Sequence, residues 1–308
     1  MNILVTGGAG YIGSVLIPML LKPDRNCTVT VIDNFMYGQT PLLSEIWDER
    51  LTVRNENLDF NNVDLSSFDA VVHLACITGM PACDKDPFRA THTNLGLVQD
   101  LVKMLPKGKR LIFPCTNSGY GIGQKSIECD EKTPLKPISL YGRLKVAAEE
   151  EVLKWGGVSL RFATLFGMSP RMRLDLLVND FVYRALNDGF LVLFESHFKR
   201  NYLHVLDAVS SIIFILERYH HPIGEAYNVG LSDTNISKLE LAQKIKEYLP
   251  ETVIIESEIS KDKDKRNYIV SNKKIEATGF RPSFSLDDGI KELIRGHQII
   301  RRNQFSNV

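Results

Sequence analysis

The run Gly7-Gly8-Ala9-Gly10-Tyr11-Ile12-Gly13 constrains the fold of this chain more than any other feature. It follows a short apolar stretch at residues 3–6 and opens a helical pattern at 12–21. Glycines let the backbone turn tightly between strand and helix and approach a pyrophosphate, whose charge then lies at a helix N-terminus. Glycine-rich turns are common, so the context decides. Asp33 ends the next β-branched run, 20 residues after Gly13. At that distance a carboxylate accepts from both hydroxyls of an adenosine ribose. It would also repel a 2′-phosphate, and Asn34 brings no cation to offset it, so NAD is favoured over NADP.

The rest of the first half repeats the strand–helix alternation. Residues 3–6, 28–32, 70–74, 111–113 and 158–162 read as buried strands, with helical patterns at 12–21, 88–105 and 141–154. Such alternation argues for an α/β, doubly wound parallel sheet of Rossmann type. After Gly167 the pattern changes to a helix at 176–188, short strands at 191–194 and 201–204, a helix at 205–219 and a strand at 226–229. Ser237-x-x-Glu240 is a capping box opening a further helix, and a last amphipathic helix is expected at 286–301. These patterns predict a cofactor domain over 1–165, with 201–230 returning to it. A smaller, interleaved C-terminal substrate-binding lobe would comprise 166–200 and 231–308.

Composition excludes several function classes. The 37 basic and 37 acidic side chains cancel, so the chain has no basic footprint for nucleic acid. No stretch approaches the roughly 18 apolar residues that span a bilayer. The N-terminus has neither a basic region nor a small-residue cleavage site, which points to a cytoplasmic protein. Cys27, Cys76, Cys83, Cys115 and Cys129 are odd in number and form no C-x-x-C pair, as expected of free thiols. His220-His221 reads as a solvated helix end, and no metal site is expected.

Two further motifs carry chemistry. In Tyr141-Gly142-Arg143-Leu144-Lys145, positions i and i+4 share a helix face, so phenol and ammonium can act on one ligand. A free tyrosine titrates near about 10, and making it a base at neutral pH takes about 4 kcal/mol of differential stabilisation. A lone Tyr-x-x-x-Lys is more often a solvated helix face; the glycine turn gives it weight. The segment Cys115-Thr116-Asn117-Ser118-Gly119-Tyr120-Gly121 follows a strand at its carboxyl end, where open α/β sheets place their ligands.

Together these elements resemble the extended short-chain dehydrogenase/reductases that act on nucleotide sugars. The resemblance runs from Asn2 to about Gly289. It implies that Gly7, Gly10, Tyr11, Ile12 and Gly13 form the cofactor turn, and that Asp33 and Asn34 hold the ribose. Asn57 and Leu58 would face the adenine, in preference to Asp59. Leu74, Ala75, Asn94 and Thr164 complete the implied cofactor set, with Cys76 where alanine is usual. Thr116, Tyr141 and Lys145 are implied as the catalytic triad.

The same resemblance implies substrate residues. Asn117 and Ser118 stand where relatives that eliminate water, lose carbon dioxide or invert C3 and C5 carry an acid, base or thiol. Their neutrality favours hydride transfer at one carbon. Arg171, Arg173, Arg200 and Arg266 are candidates for phosphate, because guanidinium groups match phosphate oxygens. For any one of them a surface salt bridge is as common a fate. Asn179 is a candidate sugar or phosphate contact. Residues 115–123, 169–185 and 200–204 also look like a bacterial surface-polysaccharide subgroup that includes GDP-manno-heptose 4-dehydrogenase. The leading expectation is therefore oxidation at C4 of a nucleotide-linked sugar, GDP-linked heptose favoured. A 4-epimerase is the nearest alternative and a non-catalytic NAD-binding redox sensor a lower one. The helices at 88–105 and 141–154 resemble those that pair across a two-fold axis in this family, which implies a homodimer.

Overall fold

The computed structural model describes residues 1–123, 127–219, 224–257 and 266–300. Seven strands form one sheet: β1 (Asn2–Thr6), β2 (Thr28–Asp33), β3 (Leu51–Asn55), β4 (Ala70–His73), β5 (Arg110–Thr116), β6 (Val158–Phe162) and β7 (Ala226–Val229). Their spatial order is β7-β6-β5-β4-β1-β2-β3, and every pair is parallel. β1 is flanked by β2 on one side and β4 on the other, so the chain reverses its winding direction there. Crevices at such switch points, beyond the carboxyl ends of the strands, are where open sheets bind ligands.

β1 and β4 read as unbroken apolar runs because helices cover both sheet faces. Ile3, Leu4, Val5, Val71 and Val72 are fully buried. One face packs on the first helix (Gly13–Leu20) and the helix Val205–Glu217 through Leu16, Ile17, Val209 and Ile212. The other packs on helices Leu97–Met104 and Leu140–Trp155 through Val98, Leu101, Ala148 and Val152.

Several expectations are refined. Strand β3, outside the expected strands, is a five-residue edge strand with an exposed Thr52 and carries little apolar signal. β5 runs on to Thr116 rather than stopping at 113, which brings Thr116 to the strand's end. The predicted helix 88–105 is interrupted: His92–Gly96 is a π turn in which the Leu97 N–H donates to the His92 carbonyl. The last helix stops at Gly296, short of 301. β7 joins the main sheet as anticipated, while Tyr202–His204 pairs with Thr164–Phe166 in a separate two-stranded ladder. The Ser237–Glu240 capping box is formed by both reciprocal bonds. His220, His221 and residues beyond 300 lie outside the described residues.

Candidate active site

The glycine turn is built for close approach. Gly7 has φ +68°, and a Cβ there would lie 2.6 Å from the Ala75 amide nitrogen. A Cβ on Gly13 would lie 2.3 Å from the Gly8 carbonyl oxygen, so only glycine lets the helix start against the turn. Asp33 closes the other side. Its two oxygens accept from the Ala9 N–H at 3.0 Å and the Phe35 N–H at 2.8 Å. Burial raises its pKa, against the pull of those two amides. Gly7, Gly10, Tyr11, Ile12, Gly13, Asp33 and Asn34 all line a cavity of about 470 Å³. Asn57, Leu58, Leu74 and Ala75 line it as well, and the Asn34 side-chain amide donates to the Asn57 side-chain oxygen Oδ1 at 2.9 Å. Asp59 instead caps the turn at Phe60–Asn62.

A second cavity, also about 470 Å³, shares Ile12, Leu74, Cys76, Thr78, Leu165 and Arg173 with the first. The two are halves of one cleft. Thr116, Tyr141 and Lys145 all line this second half. Thr116 accepts from the Ser118 N–H at 3.1 Å and donates to the Ser118 hydroxyl at 2.9 Å. Tyr141 sits in the first turn of helix Leu140–Trp155, whose N-cap Ser139 accepts from the Gly142 N–H at 3.1 Å. One turn on, the Lys145 ammonium lies 3.7 Å from the Phe113 ring centroid. A buried ion pair, Arg161 to Glu149 at 2.7 Å, fastens this helix to β6. Arg161 also donates to the Tyr120 hydroxyl at 3.0 Å, at the end of the turn Asn117–Tyr120.

Burial holds the Tyr141 phenol well above its usual pKa; the Cys76 and Cys115 thiols add to this and Arg173 opposes it. Without further positive charge the phenol therefore keeps its proton. His73 lines the same half and is bound through Nδ1 to the Thr6 hydroxyl at 2.9 Å. Burial, with Lys145 assisting, pushes it down to about 3, so the imidazole is neutral.

Second-lobe residues divide between the halves. Arg200 and Arg266 line the second cavity beside Lys238 and Tyr268, and Arg266 donates to the Ser118 hydroxyl. Arg173 lines both cavities and pairs with Asp175, whereas Arg171 lines only the first. Thr164, expected against the cofactor, lines the second cavity and not the first.

Three expected contacts are placed elsewhere. Asn179 lines neither cavity; it is fully buried, accepting from the Gly167 N–H at 3.0 Å and donating to the Arg173 carbonyl at 2.9 Å. Asn94 lines neither; its amide clamps Ile77, accepting from its N–H and donating to its carbonyl, each at 2.8 Å. Asn117 is 1 % exposed and lines neither, and its amide makes no hydrogen bond among the described residues. All three were placed by motif position, which does not say which way a side chain turns. Cys76 and Tyr37 are lining residues outside the predicted set. Cys76 was visible as a departure from alanine; Tyr37 had no signal.

The loop that carries Arg171 and Arg173 is stitched to the glycine turn. The Tyr11 hydroxyl donates to the Gly167 carbonyl at 2.7 Å, and the Ser169 hydroxyl donates to the Tyr11 carbonyl at 2.8 Å. The Ser14 and Ser169 hydroxyls are 2.9 Å apart, and the Arg171 N–H donates to the Ser14 hydroxyl at 3.3 Å.

A cleft with a glycine turn and a buried carboxylate at one end, and a Tyr–Lys–Thr set at the other, is the arrangement of a dinucleotide-dependent oxidoreductase. Residues 3–230 match the model of the NAD dependent epimerase/dehydratase family, and the chain belongs to that family. NAD is its cofactor. It is 34 % identical over 252 residues to YtcB of Bacillus subtilis, an uncharacterised UDP-glucose epimerase, covering 75 % of this chain and 77 % of that one. It is 28 % identical to UDP-glucuronic acid decarboxylase 1 of Arabidopsis thaliana, covering 96 % of this chain and 69 % of that one. The fold superposes on UDP-glucuronic acid 4-epimerase of Bacillus cereus, solved with UDP-glucuronic acid and NAD. The TM-score is 0.82 at 26 % identity, over 97 % of this chain and 99 % of that one. Among the described residues no helix is long and apolar enough to cross a membrane. No group of three or more His, Cys, Asp and Glu among them is placed to hold a metal.

Proposed function

We propose that this enzyme oxidises the C4 hydroxyl of a UDP-linked sugar and returns the hydride to the other face, acting as a nucleotide-sugar 4-epimerase. The observation that carries this reading is the convergence of Thr116, Tyr141 and Lys145 on one cavity continuous with the glycine turn. The named relatives, which act on UDP-linked sugars, support the choice of nucleotide.

In this reading Tyr141 accepts the C4 hydroxyl proton, directly or through Thr116. Bound NAD supplies the hydride acceptor and, when oxidised, a positive charge. Lys145 adds a second cation one helical turn away, and the two together offset the burial that keeps the phenol protonated. In the structure Thr116 donates to the Ser118 hydroxyl, so in the relay its hydroxyl turns from Ser118 to Tyr141 as it accepts the sugar proton. Arg200 and Arg266, which line the same cavity, hold the diphosphate. The division into a cofactor unit (1–165 with 201–230) and a substrate lobe (166–200 with 231–308) is part of the same reading, as are a homodimer and a cytoplasmic location.

Elimination of water, or proton abstraction beside the C4 ketone, needs an acid or base beyond this set. Asn117 and Ser118 are neutral, while Asp175 and Asp180, which line the cavity, are paired with Arg173 and Arg184. That is why transfer at one carbon is favoured. Net 4-dehydrogenation of a GDP-linked heptose, the leading expectation from sequence, shares this first half-reaction, but rests on segment resemblance alone.

The test is mass spectrometry and proton resonance of UDP-, dTDP- and GDP-linked sugars incubated with enzyme and NAD in deuterated water. The expected product has unchanged mass, inverted C4 and no deuterium at C3 or C5. A product lighter by two hydrogens would mean dehydrogenation. One lighter by water or carbon dioxide would overturn the reading.

A further inference from the structure

Arg173 is expected from sequence to hold phosphate, yet it stands apart from Arg200 and Arg266. Those two line only the second half of the cleft, whereas Arg173 lines both halves, with Leu74, Cys76 and Thr78. Its Nη2 faces Gly79, where a Cβ would lie 4.0 Å away. Tyr141 packs on the same short stretch, in one apolar cluster with Ile77, Ala82 and Cys83. The guanidinium and the phenol therefore approach one segment from different parts of the chain.

The groups around Tyr141 differ in the charge they can hold. Burial pushes up the thiols of Cys76 and Cys83, which follow β4, and of Cys115 on β5, so all three keep their protons at neutral pH. His73, at the end of β4, is neutral for the reason given above. That leaves two cations, Lys145 one turn along the same helix and Arg173 on the loop after Gly167. Burial holds the phenol protonated, and the Arg173 charge acts in the opposite sense. Of the two carboxylates that line this half, Asp180 is paired with Arg184 and Asp175 with Arg173. Asp175 accepts from Arg173 Nε at 3.1 Å and from Nη2, which fixes the guanidinium. Burial raises the Asp175 pKa, but the guanidinium outweighs it and keeps the carboxyl ionised. The backbone beneath is braced where the Arg173 carbonyl accepts from Asn179 at 2.9 Å.

We infer that Arg173 is a positioning residue for proton transfer, standing where the two halves of the cleft meet and stabilising the Tyr141 phenolate rather than holding the substrate's diphosphate. Asp175 orients it and, by cancelling part of its charge, sets how much of that charge reaches the phenol. That the phenolate then works as the base rests on the function proposed above; the electrostatic link between Arg173 and Tyr141 does not.

Two substitutions move the charge at this place in opposite directions. Arg173→Met removes the cation and should raise the titration of the phenol by about one pH unit. Turnover at neutral pH should fall about tenfold with it and recover at higher pH. Arg173→Lys, which keeps the cation, should show a smaller shift. Asp175→Asn removes the opposing anion and should lower the titration. The titration is read in the NAD-bound enzyme from the ultraviolet absorbance of the phenolate, with Tyr141→Phe subtracted, and again from the pH profile of turnover with a UDP-linked sugar. By calorimetry, UDP should bind Arg173→Met as it binds wild type. An unmoved absorbance titration in Arg173→Met overturns the inference. So do shifts in the same direction in Arg173→Met and Asp175→Asn with an earlier thermal transition in both, which would make the pair a structural brace. A UDP affinity in Arg173→Met as low as in Arg266→Ala would overturn it too, returning Arg173 to the diphosphate. If the wild-type enzyme turns over no UDP-linked sugar, the proposed function fails, while the absorbance titration still decides the role of Arg173.

Discussion

The cofactor half of the cleft is made mostly of backbone, and the substrate half mostly of long side chains from segments far apart in sequence. In the first, Gly7 and Gly13 are needed because nothing larger fits, and Asp33 is held by two main-chain amides. In the second, Arg200 and Arg266 meet Thr116 and Tyr141 only because β5, β6 and the small ladders bring them together. Backbone constraints are local and leave a fixed spacing in the sequence. Convergent side chains leave none, so a motif there names a residue without giving its direction.

The sharpest way to break this comparison is at Tyr141, where the substrate half depends on a single group. Tyr141→Phe is expected to lower turnover by about 10² to 10⁴. Wild-type turnover should rise with pH, because a base works only when ionised, and burial keeps this phenol protonated at low pH. A variant with near-normal turnover, or a flat wild-type profile, would remove Tyr141 as the base. Thr116→Ala should lose less, since water can take the place of a hydroxyl.

The next effect lies in the cofactor half. The Asp33 carboxylate should disfavour a 2′-phosphate, so NAD should bind about tenfold or more tightly than NADP. Asp33→Asn should narrow that ratio mainly by weakening NAD. Equal affinities for the two cofactors in the wild type would show that Asp33 does not face the ribose.

The smallest effect separates support from contact. Asn179→Ala leaves the Gly167 amide and the Arg173 carbonyl each short of a buried partner, at a cost of about 1–3 kcal/mol in stability. Its thermal midpoint should fall, while UDP affinity should change less than in Arg266→Ala. Loss of UDP binding equal to that of Arg266→Ala, with an unchanged midpoint, would put Asn179 on the substrate.

These contrasts follow what was legible. The strand–glycine–helix unit, the sheet class and the i, i+4 pairing of Tyr141 with Lys145 are short-range patterns, and each appears where its spacing put it. Edge strand β3 was hidden because half of it faces water, and the π turn at His92–Gly96 because one extra residue barely disturbs helical periodicity. Asn94, implied as a buried asparagine behind the site, is buried and clamps Ile77, while Asn117 and Asn179 stand at their motif positions with amides that line neither cavity. An asparagine serves equally well as a ligand or as a brace for a neighbouring loop, and only the tertiary fold decides which.

The hydroxyl stitching between Tyr11, Ser14, Gly167 and Ser169 bears on how this enzyme can be re-engineered. Specificity is commonly altered by transplanting a substrate lobe from one relative to another, with the cofactor domain treated as a passive chassis. Here the seam does not follow the boundary proposed at residue 165. Tyr11 and Ser14 belong to the cofactor turn, yet they hold the first residues of the incoming loop. A chimera that replaces 166–200 without co-selecting positions 11 and 14 would set a foreign loop on hydroxyls placed for this one. The natural unit of exchange is therefore discontinuous, comprising the lobe together with one turn of helix from the opposite end of the chain.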